Sequence, residues 1–149
     1  MTETIVPQEI TITRVFDAPR EQVWKAWTEP EQIARWWGKR GWRTPVESVT
    51  LDVRPGGAFR LMSVSDADGS EMPLEAVYRE VVEPERLAFG RVSHEGEHDG
   101  PGATVTFTDL GDGRTRMTFH TTMHASDRLR DTAQAGMASA FDRLADQLS

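Results

Sequence analysis

Hydrophobic residues recur every three or four positions over residues 126–149. This spacing places them on one side of a helix, while charged and amide side chains fill the rest of each turn. Ser126 and Asp127 suit the helix start, because a short polar side chain can accept from the free N–H groups of the first turn. Gly136 costs about 1 kcal/mol relative to alanine inside a helix, which indicates close backbone approach or room for another group. The apolar positions are Leu129, Ala133, Met137, Ala140, Phe141, Leu144 and Leu148.

The first part of the chain predicts a strand followed by two short helices. Apolar and polar residues alternate from Glu9 to Phe16, which is typical of a strand. Pro19 then suits the first position of a helix. Thr28 and Glu31 have the spacing of a capping box and predict the start of a second helix, which Gly38 would end.

From Val46 onward the apolar period changes to two, which predicts six further strands joined by short turns. Turns are predicted at 52–57, 66–69 and 111–113 from their proline, glycine and aspartate residues, and 94–102 is predicted to be a mobile loop. Short turns imply antiparallel strands with one apolar face, and the terminal helix is long enough to cover it. The strands are predicted at Val46 to Val53, Ala58 to Val64, Leu74 to Tyr78, Leu87 to Phe89, Val105 to Phe107 and Met117 to Met123.

Composition narrows the class of protein. A chain of 149 residues fits one domain, 1–149, with an ordered core expected from about residue 8. The net charge of −7 argues against binding to nucleic acid. Cysteine is absent, no apolar run is long enough for a membrane span, and the start of the chain lacks the pattern of a signal peptide. We therefore expect a cytoplasmic location, as a monomer or a homodimer.

Several motifs are distributed over residues 10–145. They are Arg14-x-Phe16-Asp17-Ala18-Pro19, Val23-Trp24-x-Ala26-Trp27-Thr28-x-Pro30-Glu31, Trp36-Trp37-Gly38, Asp52-x-Arg54-Pro55-Gly56-Gly57-x-Phe59, Tyr78-x-Glu80-Val81-x-x-Pro84-Glu85-Arg86-Leu87 and Asp112-Gly113-x-Thr115. Together these motifs resemble the START-like, helix-grip superfamily, and within it the family related to the activator of heat-shock protein 90 ATPase. The fold that this resemblance implies is α+β: a curved antiparallel sheet of about seven strands wrapped around a long C-terminal helix, with two short helices after strand 1.

The chain departs from the family pattern at two places. Ala76 stands where the family usually has glycine, and Gly136-Met137 stands where it usually has a Gly-Trp pair. The chain also has no room for the separate N-terminal domain with which the eukaryotic co-chaperone binds its chaperone, so that role is not expected to transfer.

The interior of a helix-grip fold can be a cleft for a small molecule or a filled core, and periodicity cannot distinguish the two. Tyr78 is the polar anchor among the side chains predicted to face inward. These side chains are Phe59, Leu61, Leu74, Ala76, Tyr78, Leu87, Phe89, Val105, Phe107, Met117, Phe119, Met137 and Phe141. Trp36 and Trp37 are predicted to lie at the open end of this cleft, where one of them lines the entrance or both of them close it. Trp24 and Trp27 are assigned to packing in the core. The candidate ligand-binding residues are Trp36, Trp37, Phe59, Leu61, Tyr78, Phe89, Phe107, Phe119, Met137 and Phe141.

Histidines form two pairs at a spacing of four: His94 with His98, and His120 with His124. A catalytic zinc usually needs three protein ligands, and His120 is predicted to face outward, so neither a metal nor another cofactor is expected. The hydrolase and phosphate-binding motifs are absent. The resemblance to the START-like superfamily implies one enzymatic alternative, the polyketide-cyclase or aromatase chemistry known for relatives of this fold, with Tyr78 or Glu80 as the acid or base.

The sequence therefore favours non-catalytic binding of a hydrophobic or aromatic small molecule, such as a lipid, between sheet and helix. A protein-interaction module of the co-chaperone type, with a chaperone or another protein as partner, is the alternative. Its support is the Trp-rich helical stretch, which would form an exposed apolar patch.

Overall fold

The computed structural model describes residues 4–91 and 102–148, and within them an antiparallel sheet of eight strands holds a long C-terminal helix. This confirms the α+β, helix-grip architecture. The helices are α1 (Arg20–Thr28), α2 (Pro30–Trp36) and α3 (Asp127–Leu148). The strands are β1 (Val6–Phe16), β2 (Trp42–Arg43), β3 (Thr50–Leu51), β4 (Ala58–Ser65), β5 (Glu71–Val82), β6 (Arg86–Arg91), β7 (Gly102–Gly111) and β8 (Arg114–Ala125).

Strands β4 to β8 form an antiparallel meander, and β1 extends the sheet by pairing with β8. The strand order of the sheet is β1-β8-β7-β6-β5-β4-β2, with β3 also paired to β4. The pairing of β1 with β8 runs without interruption from Val6 opposite Ala125 to Phe16 opposite Thr115. Irregularities in β5 and β7 shift the register locally, and such bulges bend a strand and increase its twist. The resulting curved sheet presents its inner face to α3.

The alternation predicted for the strands is confirmed on the inner face. Val105 and Met117 are completely buried, while Thr104 and Arg116, their neighbours in sequence, point away from the core. The predicted inward residues are all buried except Leu74 and Met137, which are half-buried. The buried ones are Phe59, Leu61, Ala76, Tyr78, Leu87, Phe89, Val105, Phe107, Met117, Phe119 and Phe141.

Helix α3 begins as its sequence predicts and is buried mainly in its second half. Ser126 Oγ accepts a hydrogen bond of 3.2 Å from the backbone N–H of Leu129 and so caps the helix. Assigning Leu129 to the buried face is wrong, because its side chain is 47% exposed where the first turn projects beyond the core. Ala133 and Met137 are half-buried. The fully buried residues lie beyond them: Ala140, Phe141, Leu144 and Leu148.

Gly136 does not bring α3 close to another backbone. An added Cβ there would have no heavy atom within 4 Å among the described residues outside the neighbouring helical backbone. Close approach is therefore wrong as the reason for this glycine, and the alternative of free space beside the helix agrees with the structure.

Arg14 links the sheet to α3 from the inner face of β1. Its Nη1 lies 2.6 Å from Asp142 Oδ1, and its Nη2 donates to the carbonyl of Ala138 at 3.2 Å. Arg14 lies two residues from both Ile12 and Phe16, so its side chain is on the same inner face of β1 and points toward the helix.

Both short helices are present, with different starts from those predicted. Pro19 is the residue before α1 and Pro30 is the first residue of α2. The capping box is wrong: Thr28 Oγ1 donates to the carbonyl of Trp24 at 2.9 Å within α1, so Glu29 precedes α2 instead. The two helices bury Val23, Trp24, Ala26, Trp27, Ile33 and Trp36.

The strand predicted from Val46 to Val53 is mostly wrong. Residues Val46–Ser48 form a single 3-10 turn, and only Thr50–Leu51 pair with β4. The physical reason is Pro45, which begins the turn, and Ser48, whose Oγ accepts from the N–H of Met62 at 3.2 Å in place of a backbone partner. The short strand β2 was not predicted.

The predicted turns are confirmed at 52–57, 66–69 and 111–113. Gly56 has a φ of +84°, and a Cβ on Gly57 would overlap the carbonyl oxygen of Asp52, so both glycines are required there. The predicted mobile loop 94–102 lies outside the described residues except for Gly102, which begins β7. Among the described helices, none combines the length and the apolar character needed to cross a membrane.

Candidate functional site

A cavity of about 430 Å³, partly open to solvent, lies between the inner face of the sheet and the first half of α3. It occupies the region where α3 is only half-buried, beside Ala133 and Met137. The residues that line it are Ile10, Trp27, Trp37, Phe59, Leu74, Ala76, Phe89, Gly102, Ala103, Phe119, Thr121, Thr122, Met123, His124, Ala133 and Met137.

The structure divides the ten predicted ligand-binding residues into two groups. Trp37, Phe59, Phe89, Phe119 and Met137 line the cavity. The others are buried elsewhere in the core and do not line it: Trp36, Leu61, Tyr78, Phe107 and Phe141.

Several lining residues were not predicted as ligand-binding residues. For some of them the sequence contains a pattern that places them on the inner face, and for others it contains none. Thr121 and Met123 follow Phe119 at a period of two, so the alternation already placed them on the inner face. Trp27 was assigned to packing. It is 1% exposed and does pack, but it also borders the cavity, and no pattern in the sequence distinguishes these two environments.

Four aromatic rings form one wall of the cavity. Trp27 contacts Trp37 edge-to-face at 6.0 Å between ring centroids and stacks with Phe89 at 6.3 Å. Phe59 contacts Trp37 at 5.6 Å and Phe89 at 4.9 Å. Because each ring is held by two others, the wall is preformed and presents large apolar surfaces to a ligand.

The carbonyl group of Trp37 is fixed from two sides. It accepts from Thr44 Oγ1 at 3.1 Å and from Arg143 Nη1 at 3.2 Å. Arg143 also donates to the carbonyls of Gly38 at 2.8 Å and Trp42 at 3.0 Å. Burial of this guanidinium, and then the charge of Arg40, lower the pKa of Arg143. The arginine thus connects α3 to the segment that carries Trp37, one of the four rings of that wall.

Tyr78 is not placed to anchor a ligand. Its hydroxyl is buried without a hydrogen-bond partner among the described residues. Burial, and then the negative charge of Asp52, raise the pKa of Tyr78, so the phenol stays protonated at neutral pH. The other acid–base candidate, Glu80, is exposed and bonded to Arg86 at 2.7 Å. Neither group lines the cavity.

The tryptophans do not form an exposed patch. Trp24, Trp27 and Trp36 are 4%, 1% and 0% exposed, and Trp37 and Trp42 are half-buried. The expectation of an exposed Trp-rich patch for a protein partner is therefore wrong, because these rings pack on each other and on the sheet.

The histidines that the structure describes lie near the end of β8. His120 is half-exposed, and its Nε2 lies 3.8 Å from Glu9 Oε1, while His124 lines the cavity. Within residues 4–91 and 102–148, no three metal-ligating side chains come together. His94 and His98 lie outside the described residues.

The comparisons with known proteins agree with the fold. A model of the family described as Activator of Hsp90 ATPase homolog 1-like protein matches residues 17–149. The chain belongs to this family. Membership in the Hsp90 ATPase activator homolog 1-like family also confirms the START-like superfamily indicated by the sequence motifs.

Several solved structures are similar to this chain. A protein from Chromobacterium violaceum is 24% identical, with a TM-score of 0.80 over 95% of this chain and 97% of that chain. The AHSA1 protein from Silicibacter pomeroyi is 19% identical, with a TM-score of 0.75 over 95% and 97%. A protein from Arthrobacter aurescens is 26% identical, with a TM-score of 0.75 over 92% and 83%. No curated protein matches the chain.

Proposed function

We propose that this chain binds a hydrophobic or aromatic small molecule, without converting it, in the cavity between the sheet and α3. The observation that carries this proposal is an open cavity of about 430 Å³ with a wall of four aromatic rings. Ligand pockets typically have about 300–1,000 Å³ and a mostly apolar lining with few polar groups. The cavity meets these requirements of size and chemistry.

Burial of apolar ligand surface would supply the driving free energy, at about 25 cal/mol per Å² before the entropic costs of association. The aromatic wall is held in place before binding, so little ordering is required of it. Met123 and Met137 line other parts of the cavity, and their flexible thioethers can adjust to the outline of a ligand.

Filling the cavity tests the proposal. Titration of the neutral probe N-phenyl-1-naphthylamine, followed by its fluorescence, should show saturable one-to-one binding to the wild-type chain. Ala133→Trp places a large ring in the cavity and should weaken binding at least tenfold. Met137→Trp is a second filling variant. Thermal unfolding of each variant establishes that the chain still folds.

Ala135→Trp provides the matched control, since Ala135 is an exposed residue of the same helix that does not line the cavity. It should bind the probe as the wild type does. Absence of saturable binding to the wild type, or equal weakening by Ala133→Trp and Ala135→Trp, would contradict the proposal.

The two alternatives have less support. A co-chaperone role rests on the family description, and the burial of Trp24, Trp27 and Trp36 removes the surface that favoured it. A cyclase would need an acid or base in the cavity, whereas Tyr78 and Glu80 lie outside its lining. We propose that binding takes place in the cytoplasm, with which the lack of cysteine is compatible.

A further inference from the structure

Among the lining residues that the structure describes, polar side chains are confined to one short segment of β8. Thr121, Thr122 and His124 lie there, together with Met123. Every other residue of the lining that the structure describes is apolar or glycine. The described part of the lining is therefore polar at one side and apolar over the rest.

This polar segment forms part of the cavity rim. Successive side chains of a strand point to opposite faces, so four consecutive residues can line one cavity only where the strand runs along its edge. The burial agrees: Thr121 and Met123 are half-buried, whereas Thr122 and His124 are exposed. A ligand held against the aromatic wall would meet these polar groups close to solvent.

The hydrogen-bonding capacity of the rim suits an oxygen-bearing group. Thr121 Oγ1 donates to the carbonyl of Gly102 at 2.9 Å, so its hydroxyl oxygen remains free to accept. The Thr122 hydroxyl and the His124 imidazole can donate as well as accept. Among the lining residues that the structure describes there is no carboxylate, and hence no counter-charge for an ammonium group.

We infer that the cavity selects a single-headed amphiphile, which has an aromatic or alicyclic body and one carboxylate or hydroxyl head held at the β8 rim of Thr121, Thr122 and His124. This inference rests on the proposed function and adds the ligand class and its orientation. The apolar body contacts the wall of Trp27, Trp37, Phe59 and Phe89, and the rim determines which head group is accepted.

A matched naphthalene series tests the inference by competition against N-phenyl-1-naphthylamine at pH 7. The compounds are 2-naphthylacetic acid, 2-(2-naphthyl)ethanol, 2-(2-naphthyl)ethylamine and the hydrocarbon 2-ethylnaphthalene. The acid and the alcohol should bind roughly fivefold tighter than the hydrocarbon, as one or two net hydrogen bonds predict. The amine should bind no tighter than the hydrocarbon.

The double variant Thr122→Val with His124→Leu removes donors at the rim and leaves the rest of the cavity. It should lose the preference for the acid and the alcohol while its affinity for the hydrocarbon stays within twofold of the wild type. Thr118→Val with His120→Leu is the matched control, because it has the same spacing on β8 and lies outside the lining. This control should retain the preference.

The outcomes separate this inference from the proposed function. Equal binding of hydrocarbon, acid and alcohol, tightest binding of the amine, or an unchanged preference in the Thr122→Val, His124→Leu variant would overturn the inference and leave the cavity as a binding site. If neither the probe nor any compound of the series bound to the wild-type chain, both the inference and the proposed function would be contradicted.

Discussion

We expect the hydroxyl of Tyr78 to destabilise the folded chain. It lies in the core beside Phe59 and Phe89, and it has no hydrogen-bond partner among the described residues. A buried polar group without a partner costs about 1–3 kcal/mol. Because Tyr78→Phe removes the hydroxyl and keeps the ring, we expect it to raise the free energy of unfolding by about 1 kcal/mol at pH 7, measured by urea denaturation.

The free energy of unfolding of Tyr78→Phe should depend on pH differently from that of the wild type. Burial, and then the charge of Asp52, raise the pKa of Tyr78 above its ordinary value of 10.0. Above about pH 10 the unfolded chain releases a proton that the folded chain retains, so the wild type loses up to about 1.4 kcal/mol of stability per pH unit. Tyr78 is the single tyrosine of the chain, so Tyr78→Phe should lack this loss. A constant stability difference between pH 8 and pH 11 would contradict this account.

The sequence predicted only some of the residues that line the cavity. Alternation placed Phe59, Phe89 and Phe119 on the inner face, and all three line the cavity. It placed Tyr78 and Phe107 there as well, although both are buried away from the cavity. A strand pattern gives the face of a residue, whereas the position of free space depends on how the helix crosses that face, which no local pattern records.

At the scale of whole elements, Arg143 attaches α2 and the segment after it to α3. It donates to the carbonyls of Arg35, Trp37, Gly38 and Trp42 at 2.8–3.2 Å. Arg143→Met keeps much of the aliphatic stem and removes the donors. We expect a loss of about 2 kcal/mol in the free energy of unfolding and weaker probe binding, because Trp37 loses part of its support.

An exposed arginine of the sheet provides the control for that variant. Arg116 lies on the outer face of β8, and Arg116→Met should change the free energy of unfolding by less than about 0.5 kcal/mol. Both variants are compared by urea denaturation and by titration of the probe. If Arg143→Met were as stable as Arg116→Met, the carbonyl contacts would have no structural importance.

The elements themselves were predictable where periodicity and turn residues agreed. Strands β7 and β8 have a clean period of two and a Gly-Asp-Gly turn between them, and both are present. The prediction failed at Val46–Ser48, where Pro45 and Ser48 replace strand pairing with a 3-10 turn. It also missed β2, whose two residues are too few to show an alternation.

At the scale of the whole molecule, helix α3 packs in the core along one half and borders the cavity along the other. The second half of α3 is buried against the aromatic residues of α1, α2 and the sheet, while its first half borders the cavity. The described lining of the cavity is mostly apolar and partly open to solvent, so a ligand bound there would remove apolar surface from water. This burial is available only in the folded chain, and binding should therefore stabilise the entire fold.

The size of this stabilisation is fixed by mass action. A ligand present at 100 times its Kd and bound only by the folded state adds about 2.7 kcal/mol. For a chain of 149 residues, this corresponds to a rise in Tm of roughly 5–11 °C. N-phenyl-1-naphthylamine should produce such a rise in the wild type and in Ala135→Trp, measured by calorimetry. Because Ala133→Trp weakens binding at least tenfold, its Tm should rise at most about half as much at the same probe concentration; an equal rise in all three proteins would mean that the probe binds elsewhere.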